Sequence, residues 1–264
     1  METIDRILVP FDFSEASLNA MEYVRLFADK RPSVEILALY VSGMPIAQVD
    51  REKLQRDFDK VLESIPFKTG TAPKLRTATG PVIDCILSEQ KAHRANLILM
   101  GTMGDKVTDE AITNTSRLVL DARCPVLSIP YGCPIKEPAN SALVLVGKSR
   151  TMKRMPMPFL AMAGIFGSKL HLLTKAREPE FGAGEKVERL LADNPEPFYE
   201  VTPFGREGDM ETGVLDYIHK TGIDLLAIVP ENHAQGSTPS QGRLTRLLTL
   251  HAEIPVLALG GHSL

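Results

Sequence analysis

Short apolar runs alternate along this chain with stretches whose apolar residues recur every three or four positions. That rhythm predicts β-strands separated by amphipathic helices. The first run is Ile7-Leu8-Val9, and behind it Ala16, Ala20, Val24, Phe27 and Ala28 fall on one helical face. Residues 36–41 make the next strand. Leu54, Phe58, Val61, Leu62 and Ile65 then form a helical stripe that stops before Pro66. A strand over 75–79 follows, and Gly80-Pro81 opens a helix through Ile83, Ile86 and Leu87. Residues 97–100 are apolar throughout, as in a strand buried on both faces. A helix over 116–122 leads into Pro125-Val126-Leu127-Ser128-Ile129. Five strands and four helices in this order predict a complete doubly wound parallel α/β unit.

The pattern then starts again. Val144-Leu145-Val146 takes the place of Ile7-Leu8-Val9, an offset of 137. Gly208, Val214 and Leu215 lie 128 positions after Gly80, Ile86 and Leu87, and Asp224-Leu225-Leu226 lies 128 after Asn96-Leu97-Ile98. Pro255-Val256-Leu257 lies 130 after Pro125-Val126-Leu127. Nearly constant offsets through a strand–helix–strand series predict a duplication. Two tandem doubly wound five-stranded parallel-sheet domains are expected, 1–132 and 139–264. Residues 131–140, with Gly132, Pro134 and Pro138, read as the linker.

Composition narrows the classes of function without choosing one. The 264 residues are 44% hydrophobic and 24% charged, with a net charge of −3, which gives no general attraction to nucleic acid or to an anionic membrane. No apolar run reaches the length of a membrane-spanning helix. Met1–Asp5 is acidic where a secretory signal would be basic and then apolar. Three cysteines, Cys85, Cys124 and Cys133, show no metal-ligand spacing; Cys85 and Cys124 read as reduced core residues. A cytoplasmic location is the expectation.

In parallel α/β sheets ligands bind at the carboxyl ends of the strands, where the strand order reverses. After strand one stands Pro10-Phe11-Asp12-Phe13-Ser14-Glu15. After strand four stands Gly101-Thr102-Met103-Gly104, and nine residues later Asn114-Thr115-Ser116 begins a helix. This set resembles the universal stress protein family, which places an aspartate after strand one. After strand four that family carries Gly-x-x-Gly, nine residues and Gly-Ser/Thr. The resemblance runs over the chain twice, and it implies an adenine nucleotide alpha hydrolase-like, Rossmann-like fold. It implies ATP or another adenine nucleotide in the first domain, with Mg²⁺ if ATP is bound. Pro10, Phe11 and Asp12 would meet the adenosine, Val41 the adenine and Met100 the base or ribose. Gly101, Gly104, Asn114, Thr115 and Ser116 would form the phosphate loop. Glycines let the backbone approach phosphate, and a helix start offers free N–H groups. Asn114 departs from the family's glycine.

Each feature has a structural reading beside this one. Asp12 with Glu15 fits a capping box, Gly101 and Gly104 serve a turn equally well, and Thr115 fits a helix cap. On the 137 offset Asp12 becomes Ser149 in the second half. Gly101 and Thr102 become Val229 and Pro230, and Asn114 and Thr115 become Leu244 and Thr245. That half therefore reads as a degenerate copy. Its residues 148–154 carry four basic side chains, an anion or partner site if not a solvated loop. Residues 152–162, rich in methionine, look like packing for a helix delayed by Pro156 and Pro158.

The six histidines make no metal pair, and neither a Walker loop nor a Gly-x-Ser-x-Gly elbow is present. The favoured reading is a cytoplasmic universal stress response protein that binds nucleotide in a regulatory role, not as an enzyme, with slow ATP hydrolysis left open. A scaffold or partner-binding stress protein without nucleotide is the first alternative, and an enzyme on a related nucleotide-binding fold the second. The family resemblance also implies that the two domains pair through their last strands, 126–129 and 256–259, and that two chains associate as a homodimer.

Overall fold

In the computed structural model, residues 4–103, 114–145, 155–175, 199–204, 210–229 and 252–260 are described. The first half runs β1 (Arg6–Pro10), α1 (Glu15–Lys30), β2 (Glu35–Ser42), α2 (Gln48–Ser64), β3 (Lys74–Thr79), α3 (Val82–His93), β4 (Leu97–Thr102), α4 (Asn114–Asp121) and β5 (Val126–Pro130). The second half contributes β6 (Asn140–Leu145), α5 (Met157–Phe166), β7 (Lys169–Lys175), β8 (Tyr199–Phe204), α6 (Met210–Thr221), β9 (Leu225–Ile228) and β10 (Val256–Ala258).

All ten strands join one sheet in the order β3-β2-β1-β4-β5-β10-β9-β6-β7-β8. Pairing is parallel within each half. At the seam β5 and β10 run antiparallel, with Val126 opposite Ala258, Leu127 opposite Leu257 and Ser128 opposite Val256. Side chains alternate across the sheet. Ile7, Val9, Leu97 and Leu99 turn to the layer of α1, α2 and α5, while Leu8, Ile98 and Met100 turn to that of α3, α4 and α6. Both layers cross the seam: Phe27 of α1 and Phe166 of α5 meet edge to face at 5.0 Å. Burying a ring such as Phe27, which has no exposed surface, contributes roughly 1.5–3 kcal/mol.

The ladders give the repeat a residue-level test. Arg6 faces Glu35 as Asn140 faces Lys169, and Ile7 faces Leu97 as Ser141 faces Leu225. Helices α3 and α6 have the same length and are displaced by 128 positions. Each ends in a left-handed residue, Arg94 (φ 53°) in one and Gly222 (φ 66°) in the other. Asn96 Oδ1 accepts the N–H groups of Asp5 (3.3 Å) and Arg6 (3.1 Å) at the head of β1. Asp224 Oδ2 accepts those of Ala139 (3.0 Å) and Asn140 (2.9 Å) at the head of β6. Its other oxygen meets Lys136 Nζ at 2.5 Å.

Two expectations change here. The register relates β6 to β1 by 134 positions rather than 137, so Ser149 is not the counterpart of Asp12. Ser141 stands for Ile7, Val144 for Pro10 and Leu145 for Phe11. Helix α1, for its part, is capped by Ser14, whose side chain accepts the Ser17 N–H at 3.2 Å. The Asp12–Glu15 capping box does not form.

The stretch 131–139 between β5 and β6 is tied to both halves. Lys30 pairs with Glu137 at 2.7 Å, Asn19 Nδ2 donates to Cys133 Sγ at 3.9 Å, and Ser168 donates to the Pro138 carbonyl. Burial raises the Cys124 thiol to about 12 and pushes up that of Cys133, while Cys85 is only partly covered. Among the described residues no helix is long and apolar enough to cross a membrane.

Candidate functional site

Strand β1 lies between β2 and β4, so the chain's crossovers leave in opposite directions on its two sides and open a crevice at the carboxyl ends. Pro10 ends β1, Val41 is next to last in β2, and Met100 and Gly101 stand near the end of β4. Phe11 is buried and donates its N–H to the Leu39 carbonyl at 2.9 Å, extending the β1–β2 ladder by one rung. Its ring packs edge to face on Phe58 (5.4 Å) and Phe13 (4.8 Å).

Asp12 is exposed and heads the turn into α1. Its Oδ1 accepts the Ser14 N–H at 3.0 Å, and its own N–H points to Ser17 Oγ at 3.4 Å. Partial burial pushes the carboxyl up, but hydrogen bonds from Ser14 and Ser17 outweigh that and hold it below the usual carboxylate range. At neutral pH it is an anion engaged on one side by its own turn. Phe13 carries φ 62°, a left-handed conformation that costs a side-chain-bearing residue roughly 1–2 kcal/mol. Contacts with Phe11 and with Tyr40 (6.0 Å) hold its ring. Phe13 also walls a shallow cleft of about 210 Å³ with Asp50, Lys53, Leu54 and Asp57 of α2.

On β4 the fit is tight. A Cβ added to Gly101 would lie 1.9 Å from the Ala16 carbonyl oxygen and 2.3 Å from its carbon. The first turn of α1 thus rests on the Gly101 backbone. The glycine is required by the protein's own helix before any ligand is considered. Thr102 follows, buried, its carbonyl accepting the Tyr131 N–H at 2.7 Å while its hydroxyl has no partner among the described residues. A buried hydroxyl left unsatisfied costs about 1–3 kcal/mol.

Asn114 opens α4 and is exposed, and Thr115 behind it is buried. Ser116 continues the helix. Gly104 lies outside the described residues, as does the basic stretch 148–154.

With this arrangement in place, the sequence profile of the universal stress protein family matches residues 3–130. Through that half, the chain belongs to the universal stress protein family. A universal stress protein from Archaeoglobus fulgidus DSM 4304 is similar over 98% of this chain and 99% of its own, with a TM-score of 0.71 and 15% identity. A functionally unknown protein from Pseudomonas aeruginosa PAO1 is similar over 98% and 93%, with a TM-score of 0.66 and 16% identity. Another universal stress protein, solved in complex with cAMP, aligns with 50% of this chain and 100% of its own at a TM-score of 0.41 and 12% identity. At such identities the first two likenesses concern fold, and the full-length overlaps show that this two-half architecture recurs. Among curated proteins no sequence match is found.

For a universal stress protein, the first half thus brings Pro10, Phe11, Asp12, Val41, Met100 and Gly101 to the ends of three adjacent strands. In the second half the strand register puts Val229 at the place of Gly101, and its Cβ forbids the approach that α1 makes in the first half. Two features escaped the sequence reading. Ser14 rather than Asp12 caps α1, and both are ordinary capping residues two positions apart. Thr102 passed as a spacer between glycines; a hydroxyl at the end of an otherwise apolar strand was its one signal. His171 of β7 is buried, with Tyr217 Oη at 3.2 Å from Nδ1 and Asn140 Oδ1 at 3.4 Å from Nε2.

Proposed function

We propose that this universal stress protein binds an adenine nucleotide, ATP in the first instance, in the crevice of its first half, and that binding regulates rather than feeds catalysis. The observation that carries the reading is the placement of Asp12, Val41, Met100 and Gly101 at the ends of β1, β2 and β4, where the strand order reverses. Adenosine would lie between the Pro10–Asp12 turn and Val41, over Met100. The phosphates would point toward the start of α4, where Asn114, Thr115 and Ser116 would offer N–H groups. Among the described residues no three His, Cys, Asp or Glu side chains gather as metal ligands. A Mg²⁺ ion would therefore arrive on the phosphates. The same reading divides the chain into units 1–132 and 139–264, with a cytoplasmic protein that associates as a homodimer.

One observation favours the scaffold reading in which no nucleotide binds. Gly101 is already accounted for by Ala16, and Asp12 by the turn it braces. Small molecules released from the purified protein, followed by calorimetric titration of ATP into wild type and Asp12→Ala, separate the two. Bound nucleotide and a weakened Asp12→Ala support the first. No binding heat at millimolar ATP leaves the scaffold.

A further inference from the structure

Thr102 is the last residue of β4 and is 5% exposed. Alternation along the strand sends Gly101 toward α1 and Thr102 to the other face, the one shared by Ile98, Met100 and helices α3 and α4. That face is lined by Leu8, Leu37, Leu39, Ile83, Ile86, Leu118 and other apolar side chains. On the neighbouring strand, Ser128 pairs in register with Met100 and points the same way, with no exposed surface. Among the described residues neither hydroxyl has a hydrogen-bond partner. A valine at 102 would fill the same volume without the desolvated hydroxyl, so packing alone gives no reason for a threonine there. The two positions differ in depth. Ser128 sits level with Met100 inside the sheet, whereas Thr102 reaches the carboxyl edge beside the β1–β4 crevice.

We propose that Thr102 is a ligand-binding residue of this crevice, its hydroxyl donating to a phosphate or ribose oxygen of a nucleotide seated over Met100 and Gly101. The inference rests on the nucleotide reading and adds to it a residue on the face of β4 that α4 covers. Ser128, equally orphaned but deeper, touches no ligand and serves as the control.

The test is calorimetric titration of Mg-ATP into the full chain as wild type, Thr102→Val, Thr102→Ser and Ser128→Ala. Thr102→Val is expected to bind roughly tenfold more weakly, the loss of one hydrogen bond to a charged group. Thr102→Ser keeps the donor and stays within about twofold, and Ser128→Ala is unchanged. Thermal melting of ligand-free Thr102→Val at or above the wild-type midpoint shows that the fold is kept. Thr102→Val binding as tightly as wild type overturns this inference and leaves the nucleotide reading standing. Equal weakening by Ser128→Ala also overturns it, since the hydroxyls would then act through packing. A wild type that binds no ATP removes the nucleotide reading and the inference together.

Discussion

The two halves of the sheet share the strand order and the register of their central ladders, yet they part company where the chain leaves the carboxyl ends of the strands. In the first half, α1 begins five residues after β1 and its first turn sits on Gly101. In the second, α5 begins twelve residues after β6, behind Pro156, and the residue in Gly101's place is Val229. Strand pairing depends on backbone hydrogen bonds and apolar faces, which many sequences satisfy. A helix resting on bare backbone depends on one missing methyl group. The two halves share the first requirement and differ in the second.

The largest way to break this comparison is Gly101→Ala. Its methyl would meet the backbone of Ala16, which cannot swing aside as a side chain can, so a loss of about 3 kcal/mol or more is expected in urea unfolding. Val229→Gly, the reverse change in the other half, loses a buried side chain and is expected to cost only about 1–3 kcal/mol. A Gly101→Ala protein of wild-type stability would mean that α1 is free to retreat and that the two halves are less different than they look.

A middle-sized test concerns the paired roles of Asn96 and Asp224. Both accept two N–H groups at the head of a strand, but Asp224 adds a nearly buried charge that leans on Lys136. Lys136 is well exposed, so Lys136→Ala is expected to cost about 1–2 kcal/mol rather than the figure for a fully buried pair. Asp224→Asn copies the first half's solution and is expected to cost under about 1 kcal/mol. Combined with Lys136→Ala it should restore most of the loss. A double mutant as unstable as the sum of the two would refute the equivalence.

The smallest expected effect tests the helix ends. Arg94→Gly gives the first half the residue the second half uses at the same left-handed position, and a gain of about 0.5–1 kcal/mol is expected. Gly222→Ala should lose a similar amount. Differential scanning calorimetry resolves both, and shifts of the same sign would contradict the shared geometry.

Much of this was legible in the sequence. Apolar runs and helical stripes located the elements, and the offsets of 128 and 130 survive in the ladders because Asn96/Asp224 and Pro125/Pro255 mark fixed points beside their strands. The offset of strand one was misread by three because Ala142 through Val146 is apolar without alternation. A strand buried on both faces can slide along such a run with no change of pattern. Asp12, Val41 and Met100 could be placed at strand ends from the order of elements alone. The role of Gly101 could not, because Ala16 is far from it in sequence and only the packed helix brings them together. Nor could Ser14 be chosen over Asp12 as the cap, since their local chemistry is the same.

The antiparallel seam has a geometric consequence. Strands β1–β5 all run one way and β6–β10 the other, so their carboxyl ends open on opposite rims of a single continuous sheet. A molecule lodged at one rim is separated from the strand ends at the other by the full length of the strands. Among the described residues, news of its arrival can cross the seam through the three residue pairs between β5 and β10 and through the helix layer in which Phe27 meets Phe166.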